Sequence, residues 1–89
     1  MRTPGYTKQF ERDVKRMRKR GQDLQKLGSV LSSLIAEEQL DERYRDHVLM
    51  GNYKGRRECH LEPDGLLVYK LASDEIVFER TGTHSDLFE

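Results

Sequence analysis

The sequence predicts an α+β domain: two N-terminal helices packed on a small, mainly antiparallel sheet made of a short N-terminal strand and a three-strand meander. Three observations carry this prediction. Apolar residues recur at helical spacing through the first 35 residues, the period switches to two after residue 55, and the later segments are joined by short polar turns. At 89 residues, with 35% hydrophobic and 36% charged side chains, the chain is expected to form one domain over 1–89 around one core.

The elements follow in order. Residues 1–6, MRTPGY, hold Pro4 and Gly5 and suit only a short edge strand. Thr7 has N-cap chemistry and precedes Phe10, Val14 and Met17 on one stripe, with Gly21 placed to end the helix. Asp23 is suited to cap a second helix whose stripe is Leu24, Leu27, Leu31, Leu34 and Ile35, and the short joint makes a helical hairpin. Residues 39–52, QLDERYRDHVLMGN, lack a sustained period and read as a connecting loop ending in Gly-Asn. Arg57, Cys59 and Leu61 then alternate with Arg56, Glu58, His60 and Glu62, and Glu-Pro-Asp-Gly makes a turn. Residues 66–71 form the next strand and residues 75–80 the last, leaving RTGTHSDLFE (80–89) largely as a tail.

The formal net charge of zero conceals an asymmetry. Residues 1–27 hold nine Lys/Arg against three Asp/Glu, and residues 28–89 hold seven against thirteen. The basic side chains of the first helix, Arg12, Lys15, Arg16, Arg18, Lys19 and Arg20, lie off its apolar stripe and suit a polyanion or an acidic partner. A lone cysteine, Cys59, excludes an internal disulfide and is expected to be a buried strand residue. No apolar run is long enough for a signal peptide or a membrane span, so a soluble cytoplasmic protein is expected.

The groups with reactive potential are His47, His60, Asp64, Arg80, His84 and Phe88, all in the C-terminal half. A meander returns the chain to the same edges, which allows these segments to meet. Together the residue types suit RNA cleavage without a metal: a base for the 2′-OH, an acid for the leaving oxygen and a cation for the phosphorane-like transition state. Histidine titrates near neutral pH, arginine offers a planar fork to phosphate, and phenylalanine stacks on an unpaired base. Each residue also has a structural alternative: Asp64 as turn chemistry, Arg80 as a cross-strand partner of Glu58 or Glu62, Phe88 as a core plug. Metal binding by the three histidines is disfavoured by their spacing, which contains no HxxxH, HxH or CxxC pair. Neither a metal nor a cofactor is expected.

The run DHVLMGNYKGRRECHLEPDGLLVYKLASDEIVFERTGTHSDLFE, residues 46–89, resembles the YafQ branch of the RelE/ParE toxin superfamily. Its DHxLxG, KGxRxxHxEPDxxLxYK and FxRTGTHxxLF segments occur here in order. The resemblance implies a RelE-like fold and a bacterial type II toxin, a ribosome-dependent endoribonuclease that cuts mRNA in the ribosomal A site. It implies silencing by a bound antitoxin encoded next door, through which operator DNA would be met only indirectly. The family's roles fall here on His84 for proton transfer, with Asp64 and His60 assisting, His47 on substrate, Arg80 on phosphate and Phe88 on the base. The basic first helix acquires a use on ribosomal RNA. The match departs at Gly65, where some relatives carry tryptophan. The alternative is a non-enzymatic binding module, either a ParE-like gyrase inhibitor or a degenerate toxin acting only as an antitoxin partner.

Overall fold

The structure, a computed structural model, describes residues 1–49, 55–62 and 64–88. The Gly-Asn end expected at 51–52 and the proline of the 62–65 turn lie outside the described residues. In chain order the elements are β1 (Thr3–Tyr6), α1 (Lys8–Lys19), α2 (Gln25–Ile35), a 3-10 turn (Glu42–Tyr44), β2 (His47–Val48), β3 (Arg56–Glu62), β4 (Gly65–Ala72), β5 (Glu75–Gly82) and α3 (His84–Phe88).

Local chemistry explains the helix ends. The Thr7 hydroxyl accepts from Phe10 N at 2.9 Å and opens α1. Gly21, at φ +74°, closes it: Gln22 N donates to Met17 O and Gly21 N to Arg18 O, each at 3.0 Å. Asp23 caps α2 from just outside it, its carboxylate accepting from Gln25 N at 2.8 Å. The α2 stripe differs from expectation at one position. Val30 is buried beside Leu27 and Leu34, while Leu31 and Ile35 are only partly buried, because the helix turns Leu27, Val30 and Leu34 onto the sheet.

The five strands form one sheet in the order β1-β5-β4-β3-β2. It is mixed: β1 runs parallel to β5, and the three other pairings are antiparallel. Both helices cover one face, where Phe10, Leu27, Val30 and Leu34 meet Cys59, Leu61, Leu67, Tyr69, Ile76 and Phe78. A smaller cluster of Leu66, Val68 and Leu87, with Leu49 against it, covers part of the second face. Strand β4 is therefore buried on both sides, which accounts for the unbroken apolar run Leu66-Leu67-Val68-Tyr69. Cys59 is fully buried as expected, and burial pushes its thiol up to about 12, so it is inert at neutral pH.

Two segments correct the sequence reading. The stretch taken as a loop contains the 3-10 turn and β2, so His47 is an edge-strand residue, held by pairing with Glu58 across β3. The supposed tail is structured throughout its described length. Arg80, Thr81 and Gly82 belong to β5, and residues 84–88 form α3. A reciprocal cap starts α3: Thr83 Oγ1 accepts from Asp86 N at 3.1 Å, and the Asp86 carboxylate accepts from Thr83 N at 3.0 Å. Leu87 then plugs the second-face cluster, the place that the structural alternative gave to Phe88, which is 40% exposed.

Candidate active site

Strand register builds the site. On the second face, cross-strand partners run His47–Glu58–Val68–Arg80 in one row and His60–Leu66–Gly82 in the next. Paired residues share a face, so His47, Glu58, His60 and the start of Arg80 are presented together. The register shift between Val68 and Tyr69 skips Glu79 on β5. That bulge reverses the alternation of the strand, so Arg80 and Gly82 share the face of Val68 and Leu66. Gly82, at φ +149°, then lets the chain turn into α3, where a Cβ would lie 2.9 Å from the Asp86 carboxylate.

The turn between β3 and β4 and the start of α3 meet as the sequence allowed. Asp64 Oδ1 lies 3.0 Å from His84 Nδ1 and also accepts from His84 N at 3.2 Å. The hydrogen bond from the His84 side chain, seconded by its main-chain N–H, holds the Asp64 carboxyl below its ordinary value. With Nδ1–H committed to a carboxylate, Nε2 is the ring nitrogen left to exchange a proton. Rings continue the site in both directions: His60 at 6.3 Å and Phe88 at 6.2 Å from His84, and His47 at 5.8 Å from His60.

Two residues that sequence reasoning missed support the histidines. The buried Glu58 carboxylate lies 3.5 Å from His47 Nε2 and 3.4 Å from His60 Nε2. Its alternation with His60 on one face was readable, though not its burial. Asp46 accepts from the Tyr69 hydroxyl at 2.6 Å and from Arg57 at 3.3 Å, which anchors the chain just before His47. His47 Nδ1 in turn donates to Arg45 O at 2.6 Å.

Arg80 pairs with neither Glu58 nor Glu62. Strand β1 stops opposite Phe78, so the outer edge of β5 lacks a strand beyond that point. The loop and helix after β1 supply the missing partners: the Thr7 hydroxyl donates to Glu79 O at 2.9 Å, and the Asp13 carboxylate accepts from Thr81 N at 3.1 Å. The same carboxylate receives Arg80 Nε at 2.8 Å, and Arg80 Nη2 donates to Asp86 O at 3.2 Å.

The basic set of α1 divides in two. Arg12, Lys15, Arg18 and Lys19 are exposed. Arg16 instead bridges Asp13 at 2.6 Å and Asp86 at 3.2 Å, and Arg20 holds Asp86 at 2.9 Å. Hydrogen bonds from Arg20, then from Thr83, keep the Asp86 carboxyl far below its ordinary value. A depressed folded-state value stabilises the fold fully above the ordinary carboxylate range, and that contribution is lost as pH falls through the folded value. Asp86→Asn is therefore expected to lower stability at neutral pH and to flatten the decline below about pH 4, the ordinary range of an aspartate. Urea melts between pH 2 and pH 7 measure this, and parallel pH profiles for both proteins would contradict it.

Comparison with known proteins places the whole chain in one family. The family described as bacterial toxin of type II toxin-antitoxin system, YafQ, matches residues 2–89. The mRNA interferase toxin YafQ of Escherichia coli (strain K12) is 45% identical over 84 residues, covering 93% of this chain and 91% of that one. The solved E. coli DinJ-YafQ complex superposes with a TM-score of 0.93 at 43% identity over 100% of both chains. A metal-bound toxin from Helicobacter pylori superposes at 0.92 and 42% identity, covering 99% of this chain and 100% of the other. Family model, sequence identity and overall fold agree, and the chain belongs to the YafQ family of bacterial toxins of type II toxin–antitoxin systems.

Proposed function

We propose that this protein is a ribosome-dependent endoribonuclease that cuts mRNA in the ribosomal A site by acid–base catalysis, stops translation, and is silenced by a bound antitoxin. The observation that carries the reading is the Asp64-bound His84, standing beside His60 on the sheet face that starts Arg80, with exposed Phe88 at its flank. A module that only binds has no need of this set. The E. coli relative named an mRNA interferase and the DinJ-YafQ complex support the activity and the partner. In the proposed reaction the 2′-oxygen attacks phosphorus as the P–O5′ bond breaks. One histidine takes the 2′-OH proton and another returns a proton to the departing 5′-oxygen. His84 Nε2 serves one end, and His60, with Glu58 behind it, serves the other. Arg80 offsets the charge gathering on the phosphoryl oxygens, Phe88 stacks on the base, and His47 contacts substrate at the far end of the row.

A cytoplasmic setting follows from the ribosomal substrate. Among the described residues no helix is long and apolar enough to cross a membrane. The test is addition of the protein to a translating extract. Transcripts cut at codon boundaries are expected, and intact transcripts would overturn the reading.

A second reading concerns metal, and one observation favours it. Ligand atoms of His47, Glu58 and His60 lie within 4.8 Å of one another, a nitrogen and oxygen set that suits zinc or copper. A metal held there would occupy His60 and stop proton transfer, so the ion acts as an inhibitor. In the same extract EDTA is expected to leave cutting intact and added Zn²⁺ to suppress it; loss of cutting with EDTA would reverse the assignment.

The exposed cations of α1 give a separate expectation. Charge reversal at Lys15 and Lys19 should weaken ribosome binding, most strongly at low salt and less as salt is raised, with the fold unchanged. Arg16 is unsuitable as a probe because its loss would break the Asp13 and Asp86 pairs. Cosedimentation with ribosomes at two salt concentrations decides; equal pelleting of variant and parent counts against the helix.

A further inference from the structure

Asp13 is the least expected charge in the molecule. It sits on α1 with a fully buried side chain, at a helix position where an apolar residue would fill the space at lower cost. Burial of a carboxylate persists only when it is fully hydrogen-bonded, and this one is. Besides Arg80 Nε and Thr81 N it accepts from Arg80 Nη2 at 3.3 Å, Arg16 Nη2 at 2.6 Å and Gln9 Nε2 at 3.3 Å. Arg16 carries the linkage onward to Asp86, whose carboxylate caps α3.

From this geometry we propose that Asp13 is a positioning residue of the active site. It sets the Arg80 guanidinium and, through Arg16 and Asp86, the short helix that presents His84 and Phe88. The inference rests on the phosphate role given to Arg80 under Proposed function. A free arginine side chain gives up rotamer freedom when it is fixed. Here that ordering is complete before RNA arrives, so it is not subtracted from binding or from the barrier.

The test is a double-mutant cycle on cleavage of ribosome-bound mRNA, with kcat and KM measured for Asp13→Asn, Arg80→Ala and the pair, below the melting range of all three. Asp13→Asn is expected to lower kcat by about 10- to 100-fold, as small misplacements of catalytic groups do. Arg80→Ala is expected to cost more, and adding Asp13→Asn to it should change kcat no further. A purely structural Asp13 would shift the melting temperature and leave kcat of the folded protein at the parent value. Fully additive effects on an impaired Arg80→Ala background would overturn the positioning role alone, whereas an active Arg80→Ala would overturn the phosphate role and this inference with it. If Asp13→Asn does not fold, ¹⁵N relaxation of the Arg80 Nε–H in the parent protein decides. A rigid Nε–H is expected, and motion as fast as that of the exposed Arg12 would overturn the proposal.

Discussion

Replacing His84 with alanine is expected to reduce mRNA cleavage in a translating extract by about 10²- to 10⁴-fold, the usual contribution of a positioned proton-transfer group. The same change should leave thermal unfolding nearly unaltered. The His84 side chain is 57% exposed and its polar partner Asp64 is 66% exposed, so the pair adds little to stability. The main-chain bond from residue 84 to Asp64 survives the substitution, as does the Thr83–Asp86 cap that starts α3. Loss of activity can then be assigned to the missing Nε2 rather than to a displaced helix. Asp64→Asn supplies a graded control, since an amide cannot hold Nδ1–H with the strength of a carboxylate. A His84→Ala protein that cuts at half the parental rate would remove His84 from the chemistry.

Phe78→Ala should have the largest effect on the fold, a loss of about 3–5 kcal/mol. Phe78 is fully buried on β5, with ring centroids 5.6 Å from Tyr6, 6.0 Å from Phe10 and 6.4 Å from Tyr69. It thus joins β1, α1 and β4 at one point. At roughly 0.05–0.15 kcal/mol per residue, a chain of this length has a total stability of about 4–13 kcal/mol. Truncation therefore removes a large fraction of it, and partial unfolding at 37 °C is expected. Urea titration measures the loss. A value under about 1 kcal/mol would place the centre of the core elsewhere.

The caps of α1 and α2, the helical stripes and the strand alternation were legible because each depends on residues a few positions apart. Thr7 with Phe10, Asp23 with Gln25, and Cys59 with Leu61 are relations of this kind. The three histidines, Asp64, Arg80 and Phe88 were legible as reactive types, and the motif resemblance assigned them roles. Helix α3 was missed although Thr83-His84-Ser85-Asp86 carries a capping pattern. Five residues do not hold a helix by propensity, and it is Leu87 packing on Leu66 and Val68 that retains this one. Strand β2 was missed for the same reason, since two residues have no readable period and are held by pairing with Glu58 and Arg57.

By itself the sequence determined the α+β class, the helical hairpin, the meander, the charge asymmetry and the set of candidate reactive groups, all consequences of backbone periodicity and residue chemistry. Tertiary structure alone decided how those groups are arranged. The bulge at Glu79 puts Arg80 on the histidine face, Glu58 lies buried between His47 and His60, and Arg16 and Arg20 are drawn from the basic face into ion pairs. Arg80 lies 67 residues from Asp13, and Arg16 lies 70 from Asp86. Partners so far apart in the chain are chosen by the sheet edge that β1 leaves open and by the closure of α1 over it, and no local pattern in the chain encodes that meeting.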